Sequence, residues 1–318
     1  MIKLLLKHKA DISKASLSDA IRNQDRDMVL AIIGAGADIN SKNENALSLC
    51  AMKDMDKMAR FLLDNGADIH AKDYSDKTAL ENALENDAIN TARLLLEKGA
   101  SKTEDGANRA LRLVALRGLD QLLRPLLGRG AKVNAIGDEE DDYGHKGAYD
   151  RRFTPLVLAI KGKQARMIEE LLKQGAELNL ADNYIGWKPV IHAAYDGNED
   201  VVKILMDHGA DPTEVNDYGY SALFTAVRFG HVEATRLMLD QGADVNSANI
   251  NGWTLLIMAT KADRAEMAQF LIARGADVNA HTIHGRGAVD FAHGKRVREI
   301  IVGAVAVAGK PGAPALAR

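Results

Sequence analysis

A short segment that begins with Gly-Ala returns along this chain at nearly even intervals, and this recurrence limits the folds open to the sequence. Four copies read Gly-Ala-Asp-x-Asn or Gly-Ala-Asp-x-His, and they start at Gly36, Gly66, Gly242 and Gly275. Shorter copies start at Gly99, Gly130, Gly175 and Gly209, and a ninth copy around Ala10 lacks the glycine. From Gly36 onward, successive glycines are separated by 30, 33, 31, 45, 34, 33 and 33 residues. A period in this range predicts a solenoid, in which each repeat packs only on its neighbours.

The interval from residue 216 to residue 248 shows what one repeat contains. Ser221 stands at the N-cap of a short helix, whose apolar residues recur at helical spacing up to Val227. We expect Gly230 to end this helix, because glycine adopts a positive φ at little cost. A second helix begins near His231 and ends at Gly242. The pattern therefore predicts a short helix, a turn, a longer helix and an extended loop in each repeat.

This repeat closely resembles the ankyrin repeat. The family's Thr-Pro-Leu opening is matched at Thr154 and in part at Lys188, its Gly-His turn at Gly230, and its Gly-Ala-Asp-Val-Asn segment at Gly242 and Gly275. The resemblance implies a mainly α-helical ankyrin-repeat solenoid, elongated and curved, of helix-turn-helix units joined by β-hairpin-like loops. It also implies that partner proteins bind in a concave groove lined by the loop tips and the first helices.

The repeats divide the chain into a long domain and a short tail. Residues 1–302 are expected to form an ankyrin repeat domain with a leading half repeat and about nine repeats, which start near residues 16, 43, 73, 106, 150, 182, 216, 249 and 282. Residues 303–318 are expected to form a C-terminal tail that is disordered at its end. The half repeat leaves the N-terminal end of the stack uncapped, so we expect a monomer unless that end pairs.

The longest interval contains an insertion near residues 135–152. One interpretation is a solvated mobile loop, and another is an acidic finger that contacts a basic partner. The second interpretation makes an acidic run and the tyrosine after it candidate contact residues. They are Asp138, Glu139, Glu140, Asp141, Asp142 and Tyr143.

Composition and charge exclude several classes of protein. The net charge of −3 over 318 residues gives no basic field for nucleic acid. A single cysteine excludes an internal disulfide framework and favours a reducing compartment. No apolar stretch approaches the roughly 18 residues of a membrane span, and the N-terminal apolar run is too short for a signal peptide. We therefore expect a cytoplasmic protein without a membrane span.

Aromatic residues concentrate at the loop tips and at the ends of first helices, where a stable repeat does not require them. This placement predicts a protein-binding groove from about Phe153 to Trp253, because interface cores are rich in Tyr, Trp and Arg. The alternative is that neighbouring rings pack on one another and only stiffen the stack. The candidate partner-binding residues are Tyr74, Phe153, Tyr184, Trp187, Tyr195, Tyr218, Tyr220, Arg228, Phe229 and Trp253.

No catalytic motif accompanies these residues, and we expect no cofactor, metal ion or small-molecule substrate. The sequence predicts a non-enzymatic protein-protein interaction module that acts as an adaptor, scaffold or inhibitor. An alternative is an immunity-type inhibitor or a secreted effector that blocks an enzyme with the acidic insertion. Two further alternatives are an enzyme with its site in the insertion and a nucleic-acid binder that stacks bases on the aromatic residues.

Overall fold

The protein consists of helix pairs that are grouped in two compact units, residues 1–137 and residues 138–318. The computed structural model describes residues 16–42, 45–137, 153–182 and 186–308. Nine helix pairs lie in these residues, one for each repeat predicted after the leading half repeat. The half repeat and the acidic run of the insertion lie outside the described residues.

Four helix pairs belong to the first unit. Within it, each first helix packs on the first helix of the next pair. A 3₁₀ turn at Asp120–Leu122 precedes the last of these helices. The pairs are α1 (Leu17–Arg22) with α2 (Arg26–Gly34), α3 (Ala46–Met52) with α4 (Asp56–Asp64), α5 (Ala79–Glu85) with α6 (Ile89–Glu97), and α7 (Glu104–Arg117) with α8 (Leu123–Leu127).

Five helix pairs belong to the second unit, and they repeat the same arrangement. The first helices of the five pairs form one row and the second helices form another. Each helix packs on its neighbours in the same row. The pairs are α9 (Pro155–Lys161) with α10 (Ala165–Lys173), α11 (Pro189–Asp196) with α12 (Glu199–Asp207), α13 (Ala222–Phe229) with α14 (Val232–Asp240), α15 (Leu255–Lys261) with α16 (Ala265–Ala273), and α17 (Ala288–Phe291) with α18 (Lys295–Ala308).

The signals read from the sequence at the ends of α13 are confirmed. The Ser221 hydroxyl accepts a hydrogen bond from the Phe224 amide at 3.2 Å, as an N-cap residue should. Gly230 has a φ of 84° and ends the helix in the left-handed conformation. Thr154 and Thr254 cap α9 and α15 in the same way as Ser221.

The turn between the two helices does not always use glycine. Asp54 and Asp87 adopt the same left-handed conformation, with φ of 51° and 56°. Their carboxylates then reach the next repeat, because Asp54 accepts the amide of Thr91 at 2.8 Å and Asp87 pairs with Arg117 at 2.7 Å. Aspartate tolerates this conformation better than most residues, so the turn also serves as a link between repeats.

The Asp and Asn of the recurring loop segment have separate tasks. The Asp closes a local turn, as when Asp244 accepts the amide of Asn246 at 2.8 Å. The Asn reaches forward, because Asn246 Oδ1 accepts the amide of Asp277 in the next repeat at 2.7 Å. In the first unit, Asn40 Oδ1 accepts the amide of Asp68 at 2.8 Å in the same way. These bonds set the loops of neighbouring repeats side by side.

In six of the first helices, a small residue at one position lets neighbouring first helices approach. This residue is fully buried, and a larger side chain there would meet the adjacent helix. Cys50 occupies the position in α3, where burial raises the pKa of its thiol to about 12 and keeps it protonated at neutral pH. The alanines at this position are Ala83, Ala159, Ala193, Ala226 and Ala259.

The end of the repeats differs from the sequence prediction. Helix α18 runs to Ala308, so the boundary expected at residue 302 falls inside it. Its apolar residues Val297 and Ile301 are buried, while the residues beyond Ile301 are exposed or half-buried, so the helix continues past its contact with the core. Among the described residues, no helix has the length and apolar content needed to cross a membrane.

Two glycines of the first repeat are expected to respond to alanine in opposite directions. Gly34 ends α2 with an ordinary φ and Gly36 has a φ of 98°, and nothing lies within 4 Å of a Cβ built on either residue. We expect Gly36→Ala to lower the free energy of unfolding by about 1–2 kcal/mol, because its backbone conformation is strained for an L-residue. We expect Gly34→Ala to raise it by up to about 1 kcal/mol. Urea denaturation measures both, and equal effects would contradict the backbone assignment.

Candidate functional site

One geometric relation recurs at the surface of the second unit. The residue before the N-cap of a first helix lies against the residue eight positions later, because a helix of seven or eight residues makes about two turns and returns to the same side. In four consecutive repeats the earlier residue is aromatic, and in three of them the later residue is a cation. The pairs are Phe153 with Lys161 (ring centroid to Nζ, 4.9 Å), Trp187 with Tyr195 (centroids, 5.3 Å), Tyr220 with Arg228 (centroid to Cζ, 5.9 Å) and Trp253 with Lys261 (centroid to Nζ, 4.4 Å).

Rings from neighbouring repeats brace these pairs. Tyr195 and Phe229 meet edge to face, with ring centroids 4.6 Å apart. Trp253 lies 4.7 Å from Phe291, which belongs to the next repeat and is buried. Arg286 lies over the ring of Phe291, with its Cζ 4.1 Å from the ring centroid. We call the set Trp187, Tyr195, Tyr220, Phe229 and Trp253 the aromatic face.

A buried pair of polar side chains fixes the centre of the aromatic face. Asp182 accepts the Trp187 amide through one carboxylate oxygen at 3.1 Å and lies 3.1 Å from His192 Nε2 through the other. The carboxylate accepts, so Nε2 is the atom that carries the imidazole proton. The His192 ring then lies 5.1 Å from Trp187 and 5.4 Å from Phe153, edge to face with each ring. One carboxylate thus holds both the turn and the imidazole on which the rings pack.

The environment of His192 disfavours its charged form. Burial lowers the pKa of this imidazole, and its hydrogen bond to Asp182 opposes that effect without overcoming it. Lys161 lowers the pKa further, while Asp196 acts in the opposite direction. His192 is therefore neutral at pH 7 and serves as a packing residue that donates one hydrogen bond.

The cations of the two helix rows differ in their partners. Within the described residues, Lys161, Arg228 and Lys261 form no ion pair, and we call these three residues the cation row. By contrast, cations of the second helices are paired with carboxylates one turn away on the same helix, as Lys173, Lys203 and Arg236 show. Each residue of the cation row lies over an aromatic ring.

The predicted partner-binding residues divide by their exposure. Tyr195 is 43% exposed, and Tyr218 and Arg228 are exposed as well. Trp187, Tyr220, Phe229 and Trp253 are half-buried, because neighbouring rings and cations cover part of each. Phe153 is 3% exposed, so its assignment as a contact residue is wrong and it supports His192 instead. The remaining predicted residues that fall outside the described part of the chain are Tyr184, Asp138, Glu139, Glu140, Asp141, Asp142 and Tyr143.

The first unit uses the same register differently. Lys77 and Glu85 are eight positions apart, as in the aromatic pairs, but they form an ion pair at 2.6 Å. Tyr74 is highly exposed at the loop tip of this repeat and belongs to the first unit, whereas the aromatic face lies in the second. Asn82 and Asp73 repeat the His192–Asp182 contact here, with the amide donating to the carboxylate at 2.7 Å.

A cleft in the first unit has a volume of about 430 Å³. It lies between the loop before α5 and the start of α7, and its lining includes His70, Lys102 and Thr103. Arg109, which also lines it, is paired with Glu81 at 2.9 Å. Among the described residues, no group of three or more His, Cys, Asp or Glu side chains has the arrangement of a metal site.

Comparison with known proteins identifies the family to which the repeats are similar. The profile of the family described as ankyrin repeats matches residues 17–105, 111–216 and 210–282. Similar proteins include ankyrin repeat protein nuc-2 of Neurospora crassa, with 29% identity over 50% of this chain and 14% of that protein. Ankyrin repeat and SAM domain-containing protein 6 of Rattus norvegicus has 31% identity over 46% of this chain and 16% of that protein.

Another similar protein carries the name of an enzyme. The human 2-5A-dependent ribonuclease has 35% identity over 18% of this chain and 8% of that protein. The chain therefore spans less than a fifth of the length of each of these three relatives. What the relatives do outside the matched repeats is a property of those proteins.

The neutral His192 predicts a specific pH dependence of stability. Below its ordinary pKa of about 6.5 the unfolded chain binds a proton that the folded protein does not, so folding stability falls as the pH drops. We expect His192→Asn, which keeps a donor for Asp182 as Asn82 does for Asp73, to reduce the loss of stability between pH 7 and pH 5. The difference should reach up to about 1.4 kcal/mol per pH unit.

Urea denaturation at a series of pH values measures this difference. The variant and the wild type are compared at each pH under the same conditions. Parallel profiles for wild type and His192→Asn would contradict the assignment of a neutral buried imidazole.

Proposed function

We propose that this chain, which belongs to the ankyrin repeat family, is a non-enzymatic protein-protein interaction module whose partner binds along the aromatic face of the second unit. Ankyrin repeats generally bind other proteins, and the family assignment makes this class of function the first expectation. The aromatic face corresponds to the part of the predicted groove that runs toward Trp253. Function depends on such a surface rather than on the fold that carries it.

The observation that carries the proposal is the succession of one ring–ring pair and three ring–cation pairs in four consecutive repeats. Each half-buried ring is held by a neighbour from its own repeat or the next one, so the surface is ordered before a partner arrives. A preorganised surface loses little conformational entropy on association. Tyrosine, tryptophan and arginine are also the residues most often found at the energetic centre of an interface.

The ring contacts bear on the alternative in which the aromatic residues only stiffen the stack. Rings do pack on one another, so the stiffening takes place. However, Tyr195 and Arg228 remain exposed at the centre of the row, where stiffening alone gives them no task. An aromatic and a cationic side chain that lie open beside supported rings favour a binding surface.

The size of the surface fits an ordinary complex. Stable protein-protein interfaces bury roughly 1,200–2,000 Å² in total, or about 20–30 residues on each side. Four repeats that each offer a loop tip and a first helix supply about that number of residues. We propose that the module acts as an adaptor, scaffold or inhibitor in the cytoplasm, where its single cysteine stays reduced.

Capture of partners from a lysate of the source organism tests this function. We expect the variant Tyr195→Ala/Trp253→Ala to lose at least one protein that the wild type retains, with recovery reduced about tenfold or more, because central aromatic residues each contribute 1 kcal/mol or more to binding. Quantitative mass spectrometry of the captured proteins measures the recovery, and far-UV circular dichroism confirms that the variant is folded.

The matched control replaces a ring on the second-helix row. Phe270 is half-buried and lies under Arg236 and Arg274, so Phe270→Ala removes a cation-covered ring of similar burial away from the aromatic face. It should capture the same proteins as the wild type. If Phe270→Ala and the face variant lose the same proteins, or neither loses any, the aromatic face is not the binding surface.

A further inference from the structure

Resting on the proposed function, the geometry points to an acidic, extended peptide segment of the partner as the element that this surface recognises. Lys161, Arg228 and Lys261 each contact a carboxylate of the segment, and Tyr195 contacts an apolar or aromatic residue between them. The inference is carried by the charge of the cation row, by its position over the rings and by its regular spacing along the stack.

The cation row differs from the second-helix cations in its partners. Three second-helix cations, Lys173, Lys203 and Arg236, each hold a carboxylate, whereas within the described residues the cation row forms no ion pair. Each residue of the row lies over a ring that shields one side of the charge from water. A partly desolvated cation attracts a carboxylate more strongly than a fully hydrated one. The surface therefore offers three charges that no carboxylate among the described residues neutralises.

The repeat between Lys161 and Arg228 breaks the basic series. There the equivalent position holds Tyr195, and Asp196 follows it with no ion pair among the described residues. A carboxylate of the partner would meet repulsion from Asp196 at this point, while an apolar or aromatic side chain would pack on Tyr195. The surface thus specifies both where acidic residues bind and where one is excluded.

The spacing of the cation row along the stack predicts the spacing of the matching residues in the bound peptide. First helices that pack side by side lie about 8–10 Å apart. An extended chain advances about 3.3 Å per residue, so one repeat matches about three residues of peptide. Reading from Lys161 to Lys261 gives an acidic residue, an aromatic residue, an acidic residue and an acidic residue at every third position.

Nucleic acid fits the same surface less well. A stacked base needs the free face of a ring, but Lys161 and Lys261 already lie over the faces of Phe153 and Trp253. Tyr195 and Phe229 meet edge to face, so one of these two rings also has a covered face. Three cations beside a carboxylate, in a chain with a net charge of −3, also supply few phosphate contacts.

Fluorescence anisotropy with two synthetic peptides tests the inference. The probe is the fluorescein-labelled peptide ETSFTSETSE, which places the acidic and aromatic residues at every third position, and its neutral twin is QTSFTSQTSQ. We expect the acidic peptide to bind at least about tenfold more tightly than the twin, and we expect this preference to decrease as salt increases. Equal binding of the two peptides, or no binding of the acidic peptide at millimolar concentration, would overturn the inference.

Two triple variants assign the binding to the cation row. Lys161→Ala/Arg228→Ala/Lys261→Ala should weaken the acidic peptide by about 10- to 100-fold and bring its affinity to that of the twin. The matched control, Lys173→Ala/Lys203→Ala/Arg236→Ala, changes the net charge by the same amount and should bind as the wild type does. Because a cation also stabilises the end of a helix, circular dichroism and a thermal melt confirm that both variants are folded.

The remaining outcomes separate this inference from the proposed function. An equal loss in both triple variants would show a general effect of charge and would refute recognition by the cation row. Tighter binding of a single-stranded oligothymidine, lost in the first variant, would assign the surface to nucleic acid and refute the acidic peptide. If partner capture depends on Tyr195 and Trp253 while the two peptides bind equally, the protein-binding function stands and only the acidic specificity fails.

Discussion

Close packing between neighbouring first helices is the constraint on which the rest of the structure depends. The small residue at the buried position of six first helices, such as Ala193, Ala226 or Ala259, leaves room for the adjacent helix to approach. That approach buries the apolar face of each repeat against the next one, which no repeat can do alone. It also sets the distance between equivalent surface positions, so a residue type repeated in the sequence becomes a row in the structure.

The aromatic face is a consequence of this register. Residues before the N-cap and at the end of a first helix meet in four repeats of the second unit and in the repeat of Lys77 and Glu85, and their chemistry differs between these repeats. In the first unit the position holds the ion pair Lys77–Glu85, which neutralises itself. In four repeats of the second unit it holds aromatic rings, and in three of them a cation that forms no ion pair within the described residues. The same backbone geometry therefore yields a closed surface in one repeat and an open surface in others.

Features that recur in every repeat could be predicted from the sequence, and features of single repeats could not. The period of the glycines predicts the helix pairs, and Ser221 and Gly230 predict the ends of α13, because these signals act locally. The loop that carries Asp182 has one more residue before its helix than the loop that carries Asn216. A simple alignment of the repeats therefore misplaces Asp182 and does not reveal its contact with His192. The burial of Phe153 depends on His192 in the next repeat, which the sequence around Phe153 does not show. The spacing of eight residues between paired side chains can be read from the sequence. Whether the two side chains make contact depends on their directions in the structure.

Substitution at the buried alanine position tests the central claim most directly. Ala226→Leu places a large side chain between α13 and its neighbours, whereas Ala273→Leu places the same side chain at the exposed end of α16. In urea denaturation we expect Ala226→Leu to lower the free energy of unfolding by about 1–3 kcal/mol through overpacking. The Ala273→Leu variant should stay within about 0.5 kcal/mol of the wild type. Equal free energies of unfolding for the two variants would contradict the account, because the first helices would then not be in close contact at Ala226.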